Sequence, residues 1–202
     1  MRVEAKTVVW RIPLARGTAQ GMTGASDLPP LKAVFLDRDG VLNIDHGYVF
    51  DPARLDWIEG AREAVAAISK AGLKVLVVTN QSGIGRGYFD EAAMDRFHDA
   101  MQDQLAELGG QINAFYYSPF HEAAIVEAYR VADHPDRKPN PGMILRGLAD
   151  WNLKPEEAVI IGDRHIDVEA GNRAGMPGYL FKGGNLRAFV AQVLGDRVPE
   201  LK

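Results

Sequence analysis

An α/β fold, built on a mainly parallel Rossmann-like sheet with helices on both faces and no substantial cap domain, is predicted by two features of the chain. Short apolar runs of strand length alternate with stretches whose apolar residues recur at helical spacing, the pattern of a parallel sheet with crossover helices. The sequence between these runs is also short. One loop and one helix separate the first run from the second, and nothing between the second and third is long enough for a cap.

Residues 1–30 stand apart from this alternation. MRVEAKTVVWRIPLARG is mildly basic, and TAQGMTGASDLPP is small, Gly-rich and ends in two prolines. The expectation is a short strand or coil packed on the domain and then a linker, with the domain itself over 31–202. Val8, Val9 and Trp10 are too short a run for the core of a secretory signal, and Met22 is a second candidate start.

The first strand is read at Val34, Phe35 and Leu36, which run into Asp37, Arg38, Asp39 and Gly40. A polar loop, NIDHGYVFDPARLDW, leads to a helix in GAREAVAAISKAG, where Ala61, Ala64, Val65 and Ile68 share a face and Gly72 supplies the stop. Val75–Val78 form a second strand ending at Thr79 and Asn80. After QSGIGRGYF, Asp90 caps a helix to Leu108 that keeps Met94, Phe97, Met101, Leu105 and Leu108 on one face. A third strand is read at Ala114–Tyr117. An irregular stretch to Asn140 follows, in which HEAAIVEAYRV has helical composition and DHPDRKPNP is a loop by its prolines. Asn140 and Pro141 are expected as cap and first residue of a helix that turns Ile144, Leu148 and Trp151 inward. The fourth strand, Val159–Ile161, ends at Gly162 and Asp163. A helix over 167–174, a strand near 178–181 and a helix near 186–194 complete the series.

Composition narrows the function. The chain has 202 residues, 47% of them apolar but in short runs, far from the roughly 18 in succession that cross a bilayer. A net charge of −4 without a basic cluster points to neither a nucleic-acid nor a membrane partner. Cysteine is absent, which fits a reducing cytoplasm and leaves only oxygen or histidine for a metal.

The strand ends hold the chemistry. Asp37 and Asp39 follow the first strand, Thr79 and Asn80 the second, and Asp163 the fourth, while Lys138 comes from the Pro-rich loop. By itself DRDG is equally a solvated turn. Right-handed crossovers, however, would open all these ends on one edge of the sheet. Three carboxylates gather only around a cation, and oxygen ligands without Cys or a His cluster favour a hard ion such as Mg2+. A hydroxyl, an amide and a lysine beside it suit a transferring phosphoryl group, whose oxygens must be neutralised.

Over residues 33–182 the motifs FLDRDG, VVTNQSG, RKPNPG and IGDRHID follow one another as in the haloacid dehalogenase superfamily of phosphotransferases, which the chain resembles. FLDRDGVLNIDHGYV, TNQSGIGRGYF, FYYSP and RKPNPGM look like the branch that contains heptose 1,7-bisphosphate and histidinol-phosphate phosphatases. The resemblance implies that Asp37 is the nucleophile, forming an aspartyl-phosphate, and that Asp39 is the general acid and base, a task that needs a carboxyl less acidic than Asp37. It assigns Mg2+ to the side chains of Asp37 and Asp163 and the backbone carbonyl of Asp39, and the phosphoryl oxygens to Thr79 and Lys138. Asp45, His46, Gly47, Tyr48, Asn80, Gln81, Ser82 and Arg137 would lie along a small phosphorylated substrate. That substrate would be heptose 1,7-bisphosphate, cleaved at the 7-phosphate, with histidinol phosphate or another small sugar phosphate as the alternative. A binding or scaffold protein on the same fold would be expected to have lost one of these positions, and none is missing.

The branch often binds a structural zinc after the third strand. Here Ser118 stands at the first Cys position and DHPDRKP replaces the Cys-bearing end, so a thiolate site is ruled out and zinc is not expected. His121, Asp133, His134 and Asp136 are the remaining candidate ligands. Packing by Tyr116, Tyr117, Phe120 and Tyr129 is expected to hold the loop instead. Asp167 reads either as a helix N-terminal residue favoured by the dipole or as a group orienting Lys138 or the ion. Arg86 reads as an exposed turn residue within reach of a second phosphate, and His98 as a helix surface residue.

Overall fold

Strand pairing starts immediately after the two prolines at 29 and 30. The computed structural model describes residues 29–202, so the strand or coil and linker expected over 1–30 lie, but for the last two residues, outside the described residues. Five strands, β1 (Ala33–Leu36), β2 (Lys74–Asn80), β3 (Ala114–Ser118), β4 (Ala158–Gly162) and β5 (Gly178–Leu180), form one sheet in the order β3-β2-β1-β4-β5. All four pairings are parallel, with Val34 opposite both Val75 and Val159. The helices are α1 (Ala61–Lys70), α2 (Ser82–Gly85), α3 (Glu91–Ala106), α4 (Gly142–Asp150), α5 (His165–Arg173) and α6 (Leu186–Leu194). Among the described residues no helix is long and apolar enough to cross a membrane.

Alternation along the buried strands divides the core in two. Val34, Leu36, Val75, Val77, Val159 and Ile161 face one side, where α1, α3 and α6 contribute Val65, Phe97, Met101 and Val190. Phe35, Leu76, Val78 and Ile160 face the other, against Met143, Ile144 and Leu148 of α4 and Ala170 of α5. Successive side chains of a strand point to opposite faces, and both faces here are covered, so the strands are apolar throughout. From β1 the chain crosses to β2 on one side and later returns to β4 on the other. The crevice beyond the β1 and β4 ends is therefore the switch point of the sheet, where ligands of open α/β folds bind.

Several element ends differ from the sequence expectation. Asp90 caps α3 as expected, its carboxylate accepting from the Ala93 N–H at 2.7 Å, but the helix stops at Ala106 and Leu108 is half exposed beyond it. HEAAIVEAYRV forms only a 3-10 turn at Glu127–Tyr129; its carbonyls are drawn elsewhere, that of Tyr129 to the His121 N–H. Pro141, not Asn140, is the cap of α4, because the Asn140 amide is turned to Asp133 and to the His134 carbonyl.

Helix α4 rides close on the sheet at Gly147, where a Cβ would lie 2.7 Å from Phe35 Cε1 and 3.2 Å from Tyr116 Cε2. Gly147→Val should therefore lift the helix and lower stability by about 1–3 kcal/mol in urea unfolding. Leu145→Val, on the exposed side of the same helix, should stay within about 0.5 kcal/mol of the parent.

Candidate active site

Asp37 is the first residue past β1, and its N–H still donates to the Ile161 carbonyl at 3.0 Å, which holds it against β4. The chain then turns sharply. Leu42 and Asn43 both return their N–H groups to the Arg38 carbonyl, and Gly40 donates to that of Asn43 at 2.7 Å. Gly40 has φ +86°, and a Cβ there would fall 2.3 Å from Asp163 Oδ2, so the close approach of the two strand ends requires a glycine.

Lys138 reaches into this gap from the loop before α4 and is almost wholly buried. Its ammonium donates to the Val78 carbonyl at 2.7 Å and is ion-paired with Asp37 Oδ1 at 2.9 Å and Asp167 Oδ1 at 2.6 Å. Burial alone would lower its pKa, but Asp37 and Asp167 more than offset that and hold it above the ordinary value. Asp167 is fully buried, and its Oδ2 also accepts from the Arg164 N–H at 2.9 Å. The two readings of Asp167 are thus both realised: it closes the N-terminus of α5 and orients Lys138.

Asp37 holds its proton more tightly than a free carboxyl group does. Burial pushes it up to about 7, with Asp167 adding to the rise and Lys138 opposing it. Asp163 is raised as well, first by burial and then by Asp167. One ammonium faces three carboxyl groups, and a crowd of buried anions takes up protons when no further cation is at hand.

Asp39 lies in a cradle of donors. Arg38 Nε and Nη2 reach its Oδ1 at 3.1 and 2.9 Å and Nη2 its Oδ2 at 2.9 Å, while Asn43 Nδ2 and Gln81 Nε2 each approach to 2.9 Å. Gln81 Nε2 also donates to Thr79 Oγ1 at 2.8 Å, which joins the ends of β1 and β2. Asn80, expected along the substrate, instead clasps the Lys138 backbone with both ends of its amide, at 3.1 Å each. Ser82 is half-buried at the first turn of α2.

The loop at 45–48 lies further out. Asp45 accepts from the Gly47 N–H at 2.9 Å, His46 faces Asp56 at 3.3 Å, and Tyr48, with φ +52°, sets its ring edge-on to Tyr88 at 4.7 Å. Arg137 is half-buried, its Nη1 donating to the Phe120 carbonyl at 2.9 Å; burial lowers its pKa, and Arg86 and Arg164 nearby lower it further. Arg86 is partly buried rather than a freely exposed turn residue, with Nη2 2.9 Å from His121 Nε2.

The four candidate zinc ligands each have other partners. His134 stacks on Phe120 with ring centroids 3.3 Å apart, His121 meets Arg86, Asp133 takes the Asn140 amide, and Asp136 pairs with Arg146 at 2.9 Å. Of the tyrosines expected to hold the loop, Tyr129 does so by donating to Glu91 Oε1 at 3.1 Å; Tyr117, on β3, donates to the same oxygen at 2.8 Å and joins β3 to α3, while Tyr116 turns to Asp150 on α4. The Phe120–His134 stack was not foreseen.

A model for HAD-hydrolase-like proteins matches residues 136–198. A D-glycero-beta-D-manno-heptose-1,7-bisphosphate 7-phosphatase of Rhodopseudomonas palustris is 42% identical over 167 residues, 82% of this chain and 92% of that one. The chain belongs to the haloacid dehalogenase-like hydrolases. A D-glycero-alpha-D-manno-heptose-1,7-bisphosphate 7-phosphatase of Burkholderia mallei is 41% identical, over 72% of this chain and 76% of that one. The crystal structure of the D,D-heptose 1,7-bisphosphate phosphatase of B. bronchiseptica, complexed with magnesium and phosphate, superimposes with a TM-score of 0.68 at 32% identity, covering 80% of this chain and 87% of the other.

The residues of this family member fit a divalent cation. Asp37, Asp163 and Asp167 present carboxylate oxygens that all lie within 4.8 Å of one another, and Asp163 Oδ1 is buried without a hydrogen-bond partner. A buried carboxylate oxygen left without a donor is costly, and a hard cation is the partner its chemistry suits. Asp167 Oδ1 also lacks a hydrogen-bond donor but is ion-paired with Lys138 at 2.6 Å, and its Oδ2 accepts from the Arg164 N–H, whereas both contacts of Asp37 fall on Oδ1.

His98, expected on the surface of α3, is buried and stacked on Phe115, with ring centroids 3.9 Å apart. Burial, then the Arg38 guanidinium, pulls its pKa down from 6.5 to about 3. The unfolded chain takes up this proton below about pH 6.5 and the folded chain refuses it, so the stability held above that pH is lost as pH falls toward 3. His98→Phe lacks this loss. Between pH 7 and 5 the parent should therefore lose about 1–2 kcal/mol relative to the variant, by urea midpoints without added metal. The opposite shift of Asp37 is common to both proteins and cancels.

Proposed function

We propose that the chain is a Mg2+-dependent phosphomonoesterase that removes the 7-phosphate of D-glycero-D-manno-heptose 1,7-bisphosphate through an aspartyl-phosphate on Asp37. The observation that carries this reading is the convergence of Asp37, Asp163 and Asp167 on one point with Lys138 inserted between them, in a chain 42% identical to a phosphatase of that substrate.

In this reading an oxygen of the Asp37 carboxylate attacks phosphorus and the bond to the sugar oxygen breaks. Asp39, fixed by Arg38, Asn43 and Gln81, gives its proton to the departing alkoxide. It then takes a proton from the water that attacks the aspartyl-phosphate, releasing phosphate and restoring Asp37. Asp37, Asp163 and the Asp39 carbonyl would hold Mg2+, which supplies positive charge between two anions that would otherwise repel. Lys138 and Thr79 would hold the phosphoryl oxygens. Lys138 is ion-paired with Asp37 and Asp167, and an incoming phosphoryl oxygen would take the place of Asp37, whose own charge is lost on phosphorylation.

Arg137, Arg164 and Arg86 make the crevice wall positive, which suits a substrate with a second phosphate. The 45–48 loop and Tyr48 would line the sugar, with Gln81 and Ser82 beyond the second strand. Asn80 acts in this reading through Lys138, whose backbone it clasps.

The test is Mg2+-dependent phosphate release from the α and β anomers of heptose 1,7-bisphosphate, histidinol phosphate and a panel of sugar phosphates. One bisphosphate anomer should be preferred by at least roughly 100-fold in kcat/KM, about 2.7 kcal/mol of transition-state binding. Weak, even activity across the panel would reject the heptose assignment and keep the chemistry. Asp37→Asn should fold normally and show no turnover. In acid-quenched Asp39→Asn, mass spectrometry should find one phosphoryl group on the peptide bearing Asp37; its attachment anywhere else would overturn the covalent step.

A further inference from the structure

The Arg38 side chain is wholly buried, a costly position for a guanidinium unless its N–H groups are matched to acceptors. Nε and Nη2 serve Asp39, and Nη2 also donates to the Val49 carbonyl at 2.7 Å. The other edge belongs to α3. Nη1 lies 3.4 Å from His98 Nε2, and the guanidinium carbon stands 4.8 Å over the Phe97 ring. His98 is itself locked, its ring parallel to that of Phe115 on β3 to within 6°. An imidazole can accept from a guanidinium only when neutral, and burial beside Arg38 keeps it so.

A residue needed only to fill this space between α3 and β3 could be any apolar ring. The histidine differs in placing an acceptor on the one guanidinium nitrogen that Asp39 and Val49 do not occupy. We infer that His98 and Arg38 are positioning residues for Asp39: His98 fixes the far edge of the guanidinium, and the guanidinium's near edge fixes the direction in which the Asp39 carboxyl meets the leaving group. This inference rests on the assignment of Asp39 as acid and base. A carboxyl that must first donate and then accept a proton at one site gains from having its rotation removed beforehand, since misalignment of about 1 Å costs on the order of 100-fold.

The experiment separates proton donation from general weakening. Single-turnover release of the leaving group is measured with p-nitrophenyl phosphate, whose phenolate departs without a proton, and with phenyl phosphate, whose phenolate needs one. Both are indifferent to which sugar the enzyme prefers. The variants are His98→Phe, which keeps the stack on Phe115 and removes the acceptor, His98→Gln, whose amide oxygen can take its place, and His98→Asn, which is too short to do so. For His98→Phe the phenyl phosphate rate should fall roughly 10–100-fold and the p-nitrophenyl phosphate rate less than about 3-fold, a part of the roughly 100-fold or more that general acid catalysis supplies. His98→Gln should recover most of the loss.

Equal losses on both esters, or no difference between Gln and Asn, would overturn the relay and leave His98 a packing residue. Should His98→Phe fail to give a native circular dichroism spectrum, the Gln and Asn pair decides alone by the same comparison. Asp39→Asn is the reference. If it weakens both esters equally, the assignment of Asp39 has failed, and the relay falls with it for a distinguishable reason.

Discussion

Lys138 carries a buried ammonium between Asp37 and Asp167, and the rest of the site is arranged to keep it there. A charge so placed is stable only with partners on every side, and removing one partner of such a pair typically costs about 3–5 kcal/mol. Its backbone is clasped by Asn80 from the end of β2, its side chain by carboxyls at the end of β1 and the start of α5. Three elements thus meet at one nitrogen. One ammonium faces three carboxyl groups there, and burial, opposed by Lys138 and reinforced by Asp167, lifts Asp37 to about 7. The donor set there suits a further, hard cation.

The loop that delivers Lys138 must be positioned from outside. It has no thiolates, and stacking, an ion pair and a hydrogen bond hold it: Phe120 with His134, Asp136 with Arg146, and Tyr129 on the carboxylate of Glu91. The Phe120–His134 stack closes the loop on itself, and the Asp136 and Tyr129 links tie it to regular elements. Arg146 belongs to α4 and Glu91 to the first turn of α3, so Arg137 and Lys138 are referred to the two faces of the sheet. Packing of aromatic rings and exposed ion pairs is individually weak, and the loop depends on having several.

Asp37, Asp39, Thr79, Lys138 and Asp163 were legible because each lies at a strand end or in a short motif, where periodicity breaks and polar residues begin. Arg38 and His98 were not, and Asp167 was legible only as one of two readings. Asp167 follows a helix start by only a few residues, a place where an acidic side chain is ordinary, and no local pattern separates that role from an ion pair with Lys138. His98 occurs in a polar stretch of α3, beside Phe97, and its face of the helix is decided by how α3 leans on β3. Asn140 has every mark of a helix cap, yet Asp133, His134 and Arg173 compete for its amide and win.

The sequence by itself determined the order of strands and helices, the two-sided burial of the sheet and the residues at its carboxyl ends, because these follow from local periodicity and from the short reach of turns. The tertiary structure alone decided which of those residues touch. Lys138 is 60 positions from Val78, whose carbonyl it meets, and His98 is 60 from Arg38. Contacts over such separations depend on the packing of whole elements. No spacing in the chain encodes that packing.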